Sequence, residues 1–139
     1  MTGEAAAGLR RPIDYRLNPA LTNDRLNALF AAAWAGHRSK DFSPVLSRSL
    51  CYLCALDGDA LVGFVHVAWD GGVHGFLLDT TVAPAWQRQG IGRELVTRAI
   101  AAVSAQGIEW LHVDYEPHLA AFYQGCGFRP TPAGLVKLR

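Results

Sequence analysis

Seven consecutive residues, Gln87-Arg88-Gln89-Gly90-Ile91-Gly92-Arg93, carry the densest chemistry of this chain. They follow an apolar stretch that ends Thr80-Thr81-Val82 and open a segment with helical spacing. Glycines at 90 and 92 free the main chain from the limits that a Cβ imposes and let N–H groups come close to a ligand. The start of a helix adds amides without intrahelical partners and the positive end of its dipole. Such a junction is built to bind an anion, phosphate above all. A second cluster lies downstream, where Tyr123 sits in Ala121-Phe122-Tyr123-Gln124-Gly125-Cys126-Gly127-Phe128. Its phenol is a proton donor in search of a reaction. Side chains able to take up a proton are Asp79, His66, Asp114 and Glu116.

Spacing separates the known anion motifs. A phosphate loop of the Walker type requires Lys and then Ser or Thr after its last glycine, whereas Arg93-Glu94 follow Gly92 here. A dinucleotide fingerprint requires a small residue three positions past Gly92, where Leu95 stands, and a preceding strand-helix-strand alternation that is not visible. Gln87-x-x-Gly90-x-Gly92, preceded by Val82-Ala83-Pro84 and followed by Leu95, resembles the pyrophosphate loop of the GCN5-related N-acetyltransferase (GNAT) family. The Tyr123 segment is similar to that family's Tyr-x-x-x-Gly-Phe motif.

The resemblance implies an enzyme, an acyltransferase that moves an acetyl group from acetyl-coenzyme A to a primary amine of a small molecule or protein. It assigns main-chain groups of Thr80, Thr81 and Val82 to the pantetheine arm, which pairs with a strand edge as a peptide would. Amides from Gln87 through Gln89, Gly90, Ile91 and Gly92 to Arg93 then hold the pyrophosphate, and Arg88 adds a charged contact. Acceptor specificity falls to the first two helices and the central strands, where Trp34, His37, Asp41, Phe42, Tyr52 and Trp69 stand. Glu116 occupies a helix start where the family commonly has Asn, so it either touches substrate or only favours the helix N-terminus. The alternative reading is a coenzyme A-binding sensor without transferase activity.

Magnitudes assign the proton work. An amine that attacks a thioester expels a thiolate whose thiol has a pKa of about 8.5, against about 10 for tyrosine, so a neutral phenol serves as general acid at little cost. Tyr123 is the candidate. An alkylamine with a pKa of about 10.4 costs roughly 4.6 kcal/mol to deprotonate at pH 7, so a base or a water relay is needed. Asp79 is the first candidate for the base, because a carboxylate inside Phe76-Leu77-Leu78-Asp79-Thr80-Thr81-Val82 needs a reason to be there.

The elements that must position these groups follow from periodicity. Ile13, Tyr15 and Leu17 alternate with polar neighbours, a half-buried first strand. Leu26, Leu29, Phe30, Ala33 and Trp34 recur at helical spacing from about Thr22 to Gly36, and a short second helix is expected around Pro44 to Ser49. Leu50 to Leu56, Leu61 to Trp69 and Val73 to Val82 read as a meander turned at Asp57-Gly58-Asp59 and Asp70-Gly71-Gly72. Ile91, Leu95, Val96, Ala99, Ile100 and Val103 form one helical face ended by Gly107. Trp110 to Tyr115 is a strand, placed parallel to the one ending at Val82 by the helical crossover. Pro117 opens a helix through about Gln124, and Phe128 to Pro130 and Leu135 to Leu138 read as two final strands. With the resemblance, the expected fold is mixed α+β: a mostly antiparallel twisted sheet of about seven strands, the fourth and fifth parallel and splayed, flanked by about four helices.

Composition bounds the rest. The chain of 139 residues is 50% hydrophobic and 18% charged, a globular balance with room for one domain over residues 12–139 after a flexible tail at 1–11. A net charge of +1 gives no field for nucleic acid or a membrane surface, and no apolar run is long enough to span a bilayer. Cys51, Cys54 and Cys126 lack a second pair at zinc spacing and read as reduced thiols of a cytoplasmic protein, with no metal. A homodimer is expected from the exposed strand edges that this type of fold leaves.

Overall fold

The computed structural model describes residues 11–139. Five strands form one sheet in the order β1-β2-β3-β4-β5: β1 (Asp14–Leu17), β2 (Ser49–Asp57), β3 (Ala60–Trp69), β4 (His74–Val82) and β5 (Trp110–His112). The first four are antiparallel to their neighbours and β5 is parallel to β4. Four α-helices accompany them: α1 (Asn23–Ala33), α2 (Ser43–Ser47), α3 (Ile91–Ala105) and α4 (Ala120–Gly125). Short 3-10 turns at Pro84–Trp86 and Pro117–Leu119 lead into the last two.

Helix α3 covers one face of the sheet. Its stripe of Ile91, Leu95, Val96, Ala99 and Val103 is buried against Leu53, Ala55, Val65, Val67 and Leu77. The distance of closest approach is set at Gly63 on β3, where an added Cβ would lie 2.9 Å from Leu95 Cδ1 and 3.1 Å from Ile91 Cγ2. On the opposite face Leu26, Leu29 and Phe30 of α1, with Phe42, pack on Cys54, Leu56 and Phe64. Thr22 starts α1 by accepting a hydrogen bond from the Arg25 amide at 3.2 Å, as an N-cap threonine does. Cys51 and Cys54 belong to different faces, as the strand period requires, and burial pushes them up to about 11 and about 12, so both are neutral thiols.

The structure corrects the strand count from about seven to five. Past Phe128 the chain meets Pro130 and Pro132, which have no N–H to donate to a ladder, and Leu135, Val136 and Leu138 are left 86%, 79% and 81% exposed. Apolar character alone did not make these strands; among the described residues neither segment pairs with β5 or with any other strand. The fifth strand stops at His112 rather than Tyr115, because pairing with β4 extends no further than Phe76. Of the expected N-terminal tail, residues 1–10 lie outside the described residues. No helix among the described residues is long and apolar enough to cross a membrane.

Candidate active site

Strands β4 and β5 pair only through His74 with Trp110, Gly75 with Leu111 and Phe76 with His112. From Leu77 to Val82, β4 runs on without a strand on that side, so the expected splay is present. The main chain of Thr80 to Val82 lies along this open edge.

A bulge re-aims the side chains there. Phe64 pairs with Thr81 and His66 with Leu78, so Asp79 and Thr80 together oppose Val65. Asp79 carries the extra turn in the left-handed region, with φ of 58°. A non-glycine residue held so costs about 1–3 kcal/mol and persists only where its surroundings hold it. Here the Thr81 hydroxyl donates to the Asp79 carbonyl at 2.9 Å, and the carboxylate is bound at its own end.

That end is a buried chain of polar groups. His66 Nε2 lies 2.8 Å from Asp79 Oδ2, and His66 Nδ1 lies 3.0 Å from Ser49 Oγ. The Ser49 hydroxyl is also 2.9 Å from the Val45 carbonyl. Its single proton goes either to Val45, with Nδ1–H donating to the hydroxyl, or to Nδ1 itself; in both cases Nε2–H donates to an ionised Asp79. The hydrogen bond from His66 is the main reason that the Asp79 carboxyl is held below the usual carboxylate range; burial opposes it, and the charges of His66 and Lys40 add to the lowering. The carboxylate remains 54% exposed while the imidazole is 4% exposed, so one member of the pair meets a ligand and the other does not.

Tyr123 stands on the other side of β4. Its ring is buried, stacked on Tyr115 and edge-on to Phe122 and Phe128. Burial pushes its phenol up, a hydrogen bond with the Thr80 side chain opposes this, and Cys126 and Asp114 add to the rise. It is a neutral donor through the physiological range, anchored to the splayed strand.

The glycine-bearing loop lies between β4 and α3. Arg88 and Gly90 both have left-handed backbone, with φ of 62° and 83°. At Gly90 a Cβ would meet nothing within 4 Å, so glycine is required by the dihedral and not by space. At Gly92 a Cβ would make only ordinary contacts with Phe122 and Val82. Gly90 is the capping position of α3 and has no side chain to offer its first amides. Those amides and the helix dipole fit an anionic group such as a pyrophosphate. Gln87 turns its side chain back to donate to the Val82 carbonyl at 3.1 Å, so it shapes the loop, and the Ile91 side chain is in the core, which leaves only its amide for a ligand.

An aromatic cavity of about 180 Å³ opens on the Asp79 side, lined by Phe30, Trp34, His37, Lys40, Phe42 and Asp79. Trp34 Nε1–H donates to Thr81 Oγ1 at 3.1 Å, which ties the end of α1 to β4. The α1–α2 loop is pinned by Asn27, whose Oδ1 accepts from the Lys40 amide at 3.0 Å and lies 2.9 Å from His37 Nε2, while its Nδ2 donates to the Lys40 carbonyl. A larger, shallow depression of about 650 Å³ borders Lys40 on the outside, but no residue of β4 or of the glycine loop lines it.

The structure thus brings Asp79, Trp34 and His37 together, and sets Tyr123 against Thr80. Trp69, at the far end of β3 opposite Gly75, and Glu116, which accepts the Leu119 amide before the second 3-10 turn, do not line the cavity. Lys40, Phe30 and Ser49 are parts of the arrangement that the sequence did not single out. Phe30 read as core, and neither a loop lysine nor a strand-start serine carries a local signal.

The family model for the acetyltransferase (GNAT) domain matches residues 48–130. The chain is 27% identical over 123 residues to GCN5-related N-acetyltransferase 1, chloroplastic, of Arabidopsis thaliana, covering 86% of this chain and 62% of that relative. It spans no more than 62% of the length of the curated relatives that it matches. Among solved structures, a GNAT family acetyltransferase from Streptococcus pneumoniae superposes with a TM-score of 0.73 at 27% identity, covering 92% of this chain and 100% of the other. An aminoglycoside N-acetyltransferase in complex with coenzyme A superposes with a TM-score of 0.73 at 17% identity, covering 92% and 95%.

Proposed function

Because the chain belongs to the GNAT family of acetyltransferases, whose donor is acetyl-coenzyme A, we propose that it transfers the acetyl group to a primary amine by direct attack on the thioester. The observation that carries this reading is the splayed β4 edge with opposite chemistry on its two sides, Asp79 toward an aromatic cavity and Thr80 with Tyr123 behind. Thr80, Thr81 and Val82 would hold the pantetheine arm, and the amides of Gln87 to Arg93, with the Arg88 guanidinium, the pyrophosphate.

In the reaction the amine nitrogen bonds to the acetyl carbon and the carbon–sulfur bond breaks. The departing thiolate takes the Tyr123 proton. Asp79 is held below the usual carboxylate range, so passing an ammonium proton to it would run further uphill than the roughly 4.6 kcal/mol needed to draw on the neutral amine at pH 7. Asp79 therefore acts as a fixed negative charge that stabilises the positive charge growing on nitrogen as the bond forms. The surplus proton leaves to water after attack, when the nitrogen has become far more acidic.

The same reading includes a homodimer and a reducing, cytoplasmic setting. Trp69, Phe76 and Trp110 expose 41%, 40% and 54% of their surface, which supports a partner copy, and the neutral buried thiols support a reducing compartment. Sedimentation at micromolar concentration tests the dimer. Calorimetric titration with acetyl-coenzyme A, followed by thiol release with a panel of amines, tests the activity. Absence of binding at high micromolar ligand would remove the donor assignment; binding without release on any amine would leave a coenzyme A-binding module.

A further inference from the structure

The cavity beside Asp79 is lined by a lysine of the chain's own. Lys40 Nζ lies 4.9 Å from the centroid of the Phe42 ring, and Lys40 lines the same cavity as Asp79. The Phe42 ring is itself stacked on Phe30 at 5.3 Å and on His37 at 6.3 Å, so the wall is a continuous aromatic surface. Faces of this kind attract cations through the ring quadrupole. Asp79 lines the same cavity, its carboxylate hydrogen-bonded by His66, which Ser49 backs. The backbone of Lys40 is clamped by Asn27 at both its N–H and its carbonyl, whereas no hydrogen bond or ion pair within 4.0 Å holds its side chain among the described residues. The loop is fixed and the ammonium is not.

We propose that the acceptor enters as a cation, its ammonium taking the place of the Lys40 ammonium between the Phe42 ring and Asp79, so that Lys40 is a displaceable occupant and the cavity selects small primary alkylamines. This rests on the acetyl-transfer reading. A cavity of about 150 Å³ accommodates one benzene ring, so about 180 Å³ admits one ring or a short alkyl chain beyond the ammonium. Trp34 closes the end nearest β4 through its bond to Thr81, which sets the depth to which the amine can reach toward the splayed edge. Bound as an ammonium, the acceptor sheds one proton to water before its nitrogen attacks; the cavity concentrates the cation and the charge of Asp79 remains for the developing positive charge.

The test uses the whole chain with free coenzyme A, so that no turnover occurs. Calorimetry compares 2-phenylethylamine, benzylamine and butylamine, all cations at pH 7, with the neutral 2-phenylethanol. The expected result is at least tenfold tighter binding of the ammonium than of the alcohol, loss of that preference in Asp79→Asn, and several-fold tighter ammonium binding in Lys40→Met, which keeps the stem and removes the charge. Equal binding of amine and alcohol, weaker amine binding in Lys40→Met, or failure of all three amines while coenzyme A binds would each overturn the proposal. Failure of coenzyme A itself to bind would instead sink the acetyl-transfer reading, so the two are told apart in the same titrations.

Discussion

His66 Nε2 lies 2.8 Å from Asp79 Oδ2, joining a buried imidazole on β3 to a carboxylate on a left-handed bulge that lines the aromatic cavity. This one bond fixes a strained residue, keeps it charged and points it.

Its loss has a defined pH signature. Asp79 has a folded pKa below its unfolded value, so the stability that it contributes is present above about pH 4 and is lost as pH falls through the folded value. Asp79→Asn is expected to be less stable than the parent by about 1 kcal/mol at pH 7, a hydrogen-bond figure discounted for exposure. Thermal melts from pH 7 to pH 3 should show the difference shrinking toward acid. A difference constant across that range would mean that the carboxylate is not held by His66.

Tyr123→Phe keeps the ring among Tyr115, Phe122 and Phe128 and removes only the hydroxyl. As a general acid its removal lowers kcat by about 10²–10⁴-fold, with coenzyme A affinity unchanged. Because burial raises its pKa, the parent enzyme should keep its activity on the alkaline side until near pH 10 or beyond. Full turnover in the Phe variant on an identified amine would remove the assignment.

Gly90→Ala isolates the backbone term of the loop. A Cβ there meets nothing, so the cost is the left-handed dihedral alone, about 1–2 kcal/mol. Weaker coenzyme A binding together with a small drop in melting temperature is the expected pair of results; unchanged affinity would show that the loop amides do not depend on that geometry.

Gly63→Ala tests the seat of α3. Its Cβ would fall 2.9 Å from Leu95 Cδ1 and 3.2 Å from Ala55 Cβ, an overpacking worth about 1–3 kcal/mol. Since the N-terminus of α3 is also the proposed anion end, affinity for coenzyme A should fall along with the melting temperature, although residue 63 lies outside the glycine-bearing loop. A stability loss with intact affinity would mean that α3 yields elsewhere along its length.

Much of this was legible in the chain. Strand and helix periods located β2, β3, β4 and α3 within two residues of their observed ends, because each element buries one face against the same sheet and its side-chain rhythm records that burial. The final strands were not, since Leu135 to Leu138 are apolar but a strand also needs a partner and a face to bury, and these residues pair with no strand and stay exposed. Trp69 and Glu116 were named from their places in the expected central strands and helix start, and neither lines the cavity beside Asp79.

The sequence alone determined the glycine-bearing loop proposed for the donor: Gln87, Gly90, Gly92 and the stripe of α3 act through local sterics, backbone dihedrals and helix periodicity, all written in neighbouring residues. The acceptor side was decided only by tertiary structure. Asp79 turns toward the cavity because β4 takes up an extra residue against β3, and it stays charged because His66 of β3, itself bonded to Ser49 of β2, meets it. Lys40 reaches the same space because two asparagine contacts from α1 hold its loop there. Those are couplings between residues 13 to 17 positions apart, which no local pattern encodes.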